Sequence, residues 1–168
     1  AIKVLNNIPV IQLGSPRGLH SSLFNALVTV ERYYEDSSNI IASITPNLYS
    51  PEICSKAATK KNLSEHLLFL IGGEGIGYTY KDQEWTSLMV SIRNLYNKTL
   101  LPITIVTSRR SDPKVENILQ EGLTGIPLQY SAWFHQGDKN FNLAALLGSA
   151  KNVFVTEDSA MMISESIS

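Results

Sequence analysis

The chain has 168 residues, 43% of them hydrophobic and 17% charged, which excludes a disordered chain and suits one domain with a sizeable core. Fourteen basic residues against fifteen acidic give a net charge of −1. A generic nucleic-acid binder carries a basic excess, so nucleic acid is not an expected partner.

Residues 1–14 lack the charged start and small-residue cleavage site of a signal peptide. Ala1 is not a start methionine, and the strand-like run Val10-Ile11-Gln12-Leu13 begins nine residues in. A piece of a longer protein is therefore expected. Further strand-like runs at 26–30 and 40–44 are set off by the turn-rich stretches Gly14-Ser15-Pro16-Arg17-Gly18 and Asp36-Ser37-Ser38-Asn39. Ser50 as a cap and Pro51 in the first turn predict a short helix over 51–59. It carries Cys54, the single cysteine, which excludes an internal disulfide or a cysteine-based zinc site and suits a reducing compartment.

Residues 67–71 form a continuous apolar run, the mark of a parallel strand covered on both faces. It is far short of the ~20 residues that span a bilayer, as is every other apolar run. A cytoplasmic location follows, with peripheral membrane association left open. After the strand comes Gly72-Gly73-Glu74-Gly75-Ile76-Gly77, and helical spacing of Trp85, Leu88, Met89, Ile92, Leu95 and Tyr96 predicts a helix over 82–96. Residues 102–106 read as the next strand, followed by Thr107-Ser108-Arg109-Arg110-Ser111-Asp112 and a helix from Pro113 to Glu121. A short strand at 128–132, a helix at 140–148 and a strand at 153–155 follow. The chain then passes through Thr156-Glu157-Asp158-Ser159 into a helix that carries Glu165.

Strands alternating with helices predict an α/β fold with a parallel, doubly wound sheet. Ligands of such sheets sit beyond the strand C-termini, where three polar loops fall: 72–77, 107–112 and 156–159. The glycine loop could let a backbone approach a phosphate, although its spacing matches neither the dinucleotide fingerprint nor a P-loop. The reading that competes is a turn needing positive φ. Adjacent Arg109 and Arg110 suit a pyrophosphate clamp, with Thr107 and Ser108 adding hydroxyl donors. The competing reading pairs one arginine with a carboxylate such as Asp112. Ser159 is a natural helix cap, and Glu165 could accept from a ribose diol. Asp158 or Glu157 could hold a metal with a pyrophosphate, but two adjacent acids are weak evidence for that. His20, His66 and His135 show no metal-ligand spacing, and no metal site is expected. There is no Gly-x-Ser-x-Gly nucleophile elbow, and no catalytic residue can be assigned.

Four segments carry a resemblance: Gln12-Leu13-Gly14-Ser15-Pro16-Arg17, Leu70-Ile71-Gly72-Gly73, Val106-Thr107-Ser108-Arg109-Arg110, and Val155-Thr156-Glu157-Asp158-Ser159 through Ser164-Glu165. In order and spacing the chain resembles the plant mitochondrial-fission (elongated-mitochondria) proteins and their bacterial homologues, often catalogued as nucleoside-diphosphate-sugar epimerases. That family looks like GT-B glycosyltransferases, two Rossmann-like domains with a nucleotide-sugar cleft between them.

The resemblance implies that residues 1–65 hold the end of an N-terminal domain with linking strands and the short helix. Residues 66–168 would be a Rossmann-like nucleotide-sugar-binding domain, incomplete at its C-terminus. It places Gly72 and Gly73 near the diphosphate, Ser159 near phosphate and Glu165 near ribose. The nucleotide-sugar is substrate, and no further cofactor is implied. A GT-B enzyme closes its cleft with two domains, so this fragment alone is expected to be inactive. A scaffold role without catalysis and a sugar-nucleotide epimerase are the other readings. The second lacks the Tyr-x-x-x-Lys pair and dinucleotide loop of short-chain epimerases.

Overall fold

A computed structural model describes residues 8–16, 18–29, 40–43, 45, 47–75, 77–138 and 141–167. Arg17, Val30, residues 36–39, Ile44, Ile76, Asn140 and Ser168, which figure in the expected turns, strands and helices, lie outside the described residues. The chain divides into two compact units, Ala1–Asn47 and Leu48–Ser168.

In the first unit β1 (Ile11–Leu13), β2 (Ala26–Thr29) and β3 (Ile40–Ala42) form a parallel sheet in that order. Leu13 pairs with Val28, and Val28 with Ile41. Alternation puts Leu27 and Thr29 inside, while Ile11, Leu13 and Ile41 are exposed on the other face. Asn25 anchors the entry to β2, its Oδ1 accepting from the Val10 N–H at 2.8 Å.

The second unit is an α/β fold. Its elements run α1 (Pro51–Lys61), β4 (His66–Ile71), α2 (Asp82–Thr99), β5 (Ile103–Thr107), α3 (Pro113–Gly122), β6 (Leu128–Ala132), α4 (Leu143–Ser149), β7 (Ala150–Val155) and α5 (Ala160–Ser166). The sheet order is β6-β5-β4-β7, with every ladder parallel. β4 is buried along its whole length, which explains its unbroken apolar run. Its odd residues Leu67, Phe69 and Ile71 meet Trp85, Met89 and Ile92 of α2 and Val115 and Leu119 of α3. The even residues Leu68 and Leu70 face Leu146 of α4 and the half-buried Met162 of α5. Helices thus cover both faces, and each fully buried leucine or isoleucine contributes about 1.5–3 kcal/mol. Among the described residues no helix is long and apolar enough to cross a membrane.

Local chemistry sets the ends. Asn142 starts α4 later than expected, its Oδ1 accepting from the Ala145 N–H at 3.0 Å. α2 runs past Tyr96 to Thr99 and stops where Leu100 turns left-handed at φ 55°. β5 begins at Ile103 because Pro102 has no N–H to donate, although its carbonyl accepts from Leu67.

Candidate functional site

Because the sheet is parallel, the loops after β4, β5 and β7 emerge at one edge. β5 and β6 extend the sheet on one side of β4 and β7 on the other, so the strand order reverses between β4 and β7. Such a reversal opens a crevice beyond the strand ends. Here it is filled from within. Thr156 Oγ1 accepts from the Gly72 N–H at 2.7 Å, and the Asp158 carboxylate lies where a β-carbon on Gly72 would be. Arg110 spans the crevice, its Nη1 donating to the Asp158 carbonyl at 2.9 Å and standing 3.5 Å from Asp158 Oδ2.

The glycine loop is shaped by these neighbours. A side chain on Gly73 would overlap the Arg110 carbonyl, and one on Gly75 would press on Arg110 Nη1 at 3.0 Å. The loop folds back where Gly75 and Tyr78 exchange backbone hydrogen bonds, with Gly77 at φ 85°. Ser111 ties the β5 loop to β4, its hydroxyl within 3.0 Å of the Ile71 carbonyl and 2.5 Å of the Gly72 carbonyl. Asp112 caps α3 by accepting from the Lys114 N–H at 2.7 Å. The carboxylate that pairs with an arginine is therefore Asp158, not Asp112.

Thr107, Ser108, Arg109 and Glu165 come together elsewhere, at a cleft of 320 Å³ on the α4 and α5 face. Leu70, Val106, Phe134, Phe141, Leu143 and Met162 give it apolar walls, and Arg109 and Glu165 are its charged groups. Glu165 is half-buried, and desolvation raises its carboxyl above the usual value. The Tyr49 phenol is raised in turn by burial first, and then by the charges of Glu165 and Cys54. Arg110 lines a separate cleft of 200 Å³ with Gly73, Tyr80, Trp85 and Lys114. Burial, with the charges of Asp158 and Glu157 nearby, pushes the Tyr80 phenol to about 12. Ser159 is buried as the cap of α5, accepting from the Met162 N–H at 3.4 Å.

The expected residues therefore form two groups. Gly72, Gly73, Arg110 and Asp158 meet in the crevice, and Thr107, Ser108, Arg109 and Glu165 meet at the apolar cleft. Further residues, Phe134 of the polar-aromatic loop 133–138 and Thr156 of the turn 156–159 among them, complete both. Phe134 and Phe141 wall the cleft, and Thr156 holds Gly72. Buried Glu116 accepts from the Thr107 hydroxyl at 2.5 Å and the His135 N–H at 3.3 Å. The aromatic loop around Trp133 and Phe134 was a usable signal, whereas Glu116 reads as an ordinary first-turn helix glutamate. Each histidine has its own setting: His20 caps a turn in the first unit, His66 is buried at the start of β4, and the His135 ring meets Phe134 edge-on at 5.4 Å.

Among known proteins, no curated sequence and no solved structure matches the chain significantly. The family model described as Mitochondrial fission ELM1 matches residues 1–168. Its span includes all four sequence segments and both residue groups at the sheet edge, and the chain belongs to the mitochondrial fission ELM1 family.

Proposed function

We propose that the second unit binds a nucleotide-sugar at the C-terminal edge of its sheet, in the manner of a glycosyltransferase donor domain. One observation carries the reading: Arg109 and Glu165 line the same largely apolar cleft beyond β4 and β5. A base would stack against Phe134 and Phe141. The ribose hydroxyls would donate to the Glu165 carboxylate, and phosphate oxygens would accept from Arg109 and the Ser108 hydroxyl. The nucleotide-sugar is then substrate, with no further cofactor. Sugar transfer is the chemistry this arrangement serves, since a guanidinium stabilises the charge of a departing diphosphate. Epimerisation is the other chemistry, and product analysis with a labelled donor separates the two. The protein would work in the cytoplasm.

A specific observation favours a second reading, a scaffold without catalysis. Asp158 and Arg110 fill the crevice and account for the small size of Gly72, Gly73 and Gly75 by packing alone. A thermal-shift panel of UDP, GDP, CMP and ADP derivatives decides between the two. The donor reading expects at least one to raise the melting temperature, with Arg109→Ala and Glu165→Ala each weakening it. No shift from any nucleotide leaves the scaffold standing.

A further inference from the structure

The Asp158 carboxylate sits on the Cα of Gly72, in the crevice between β4 and β7, and its side chain is 0% exposed. Among the described residues Oδ1 has no hydrogen-bond partner, and Oδ2 stands 3.5 Å from Arg110 Nη1. Charge-assisted hydrogen bonds are usually ~2.7–2.9 Å, so this buried carboxylate is poorly compensated. Arg110 is under-used as well. Its side-chain hydrogen bonds among the described residues all leave from Nη1. Its side chain is 35% exposed, and it lines the 200 Å³ cleft beside Gly73 and Lys114. Lys114 is held there by Asp82 at 2.5 Å.

We propose that Asp158 is a built-in stand-in for an anionic ligand, plugging the crevice and holding Arg110 until a diphosphate takes that arginine from it. A planar guanidinium engaged through one nitrogen can offer a fork to a diphosphate, two bonds in place of one long contact. Lys114 adds a second cation at the same cleft once it leaves the exposed Asp82. A diphosphate can draw on both cations, whereas the single carboxylate of Asp158 reaches only Arg110. The plug therefore sets a threshold that favours diphosphates over singly charged anions. That the diphosphate belongs to a nucleotide-sugar rests on the reading above; the plug itself does not.

Calorimetric titration of inorganic diphosphate into the wild type, Asp158→Asn and Asp158→Ser tests it. Removing the carboxylate should tighten binding about tenfold or more, because a competing like charge is gone. Adding Arg110→Gln to Asp158→Asn should erase the gain. Unchanged or weaker binding in both Asp158 variants overturns the proposal, and so does a gain that survives Arg110→Gln. If Asp158→Asn does not fold, Asp158→Ser decides; if neither folds, the carboxylate is structural and the proposal falls. Nucleoside diphosphates run in parallel separate the two readings. Tightening by inorganic diphosphate with no nucleotide bound keeps the plug and sinks the donor site. Nucleotide binding that depends on Arg109 and Glu165 but ignores Asp158 does the reverse.

Discussion

Arg109 and Arg110 are consecutive in the chain and face different clefts. The turn that separates them is held by Ser108, whose Oγ accepts from the Arg110 N–H at 3.1 Å and whose carbonyl accepts from the Ser111 N–H at 3.0 Å. Arg109 is exposed at the apolar cleft, while Arg110 crosses to the Asp158 carbonyl. The two guanidinium groups therefore do not act as one clamp.

Their substitutions should separate accordingly. Arg109→Ala removes an exposed side chain and should change stability by less than about 0.5 kcal/mol while weakening a bound nucleotide. Arg110→Ala leaves Asp158 buried without the ion pair it has among the described residues. Broken buried pairs cost 3–5 kcal/mol, and the partial exposure of Arg110 reduces that to about 2 kcal/mol. Urea denaturation of both variants checks the contrast, and equal losses would contradict it.

Thr107 works in both directions at the end of β5. Its hydroxyl accepts from the Phe134 N–H at 2.8 Å and lies 2.5 Å from Glu116 Oε1. Thr107→Val keeps the shape and removes both roles, leaving an N–H and a buried carboxylate short of a partner. A loss of about 2–3 kcal/mol is expected. Thr107→Ser keeps the hydroxyl and should lose much less than Thr107→Val; an equal or larger loss in the serine variant would show that these hydrogen bonds are not what the position contributes.

Two glycines meet neighbours of different stiffness. A β-carbon on Gly148 would overlap the Cys54 carbonyl, so α1 and α4 would have to part. The helix-propensity gain from Gly148→Ala, about 1 kcal/mol, is outweighed by an overpacking cost of about 1–3 kcal/mol with rigid backbone on the far side. A lower melting temperature is expected. Gly122→Ala has Met89 as its nearest neighbour, at 2.8 Å from Cγ, 2.9 Å from Cε and 3.2 Å from Cβ; the thioether can turn aside, and the Cβ contact needs only a slight shift of the helix. That variant should melt close to the wild type.

Glu165 ties stability to pH. Desolvation raises its folded carboxyl above the ordinary 4.5, so through that window the folded chain binds more protons than the unfolded one. Stability falls as pH rises through the window, and the penalty is complete once the folded carboxyl has ionised. Glu165→Gln should melt like the wild type below pH 4.5 and higher at neutral pH. A difference that did not vary with pH would show that burying the charge is not the cause.

The second unit was legible wherever burial writes itself into residue type. The run Leu67–Ile71 is apolar because both faces are covered, and α2 and α3 show one-sided spacing because one side is. The start of β7 was less legible, since Lys151 and Asn152 are exposed at a sheet edge and look like loop. The four residues at the apolar cleft were all named from sequence, because strand-end loops in a parallel sheet converge by construction. The burial of Asp158 was not legible. It depends on a missing side chain at Gly72, far away in the chain, and one sequence gives no sign of that contact.

Every ladder among the described strands is parallel, and this governs how the chain reaches its fold. No two paired strands can be joined by a tight hairpin, so each pairing must wait for a crossover to close. Leu67 pairs with Ile103 across the whole length of α2, and with Asn152 across a longer stretch of chain still. Such a chain folds slowly for its size, with unpaired strand edges exposed meanwhile. Yield on refolding should therefore depend on protein concentration, and a variant that fails to refold need not have lost its folded stability.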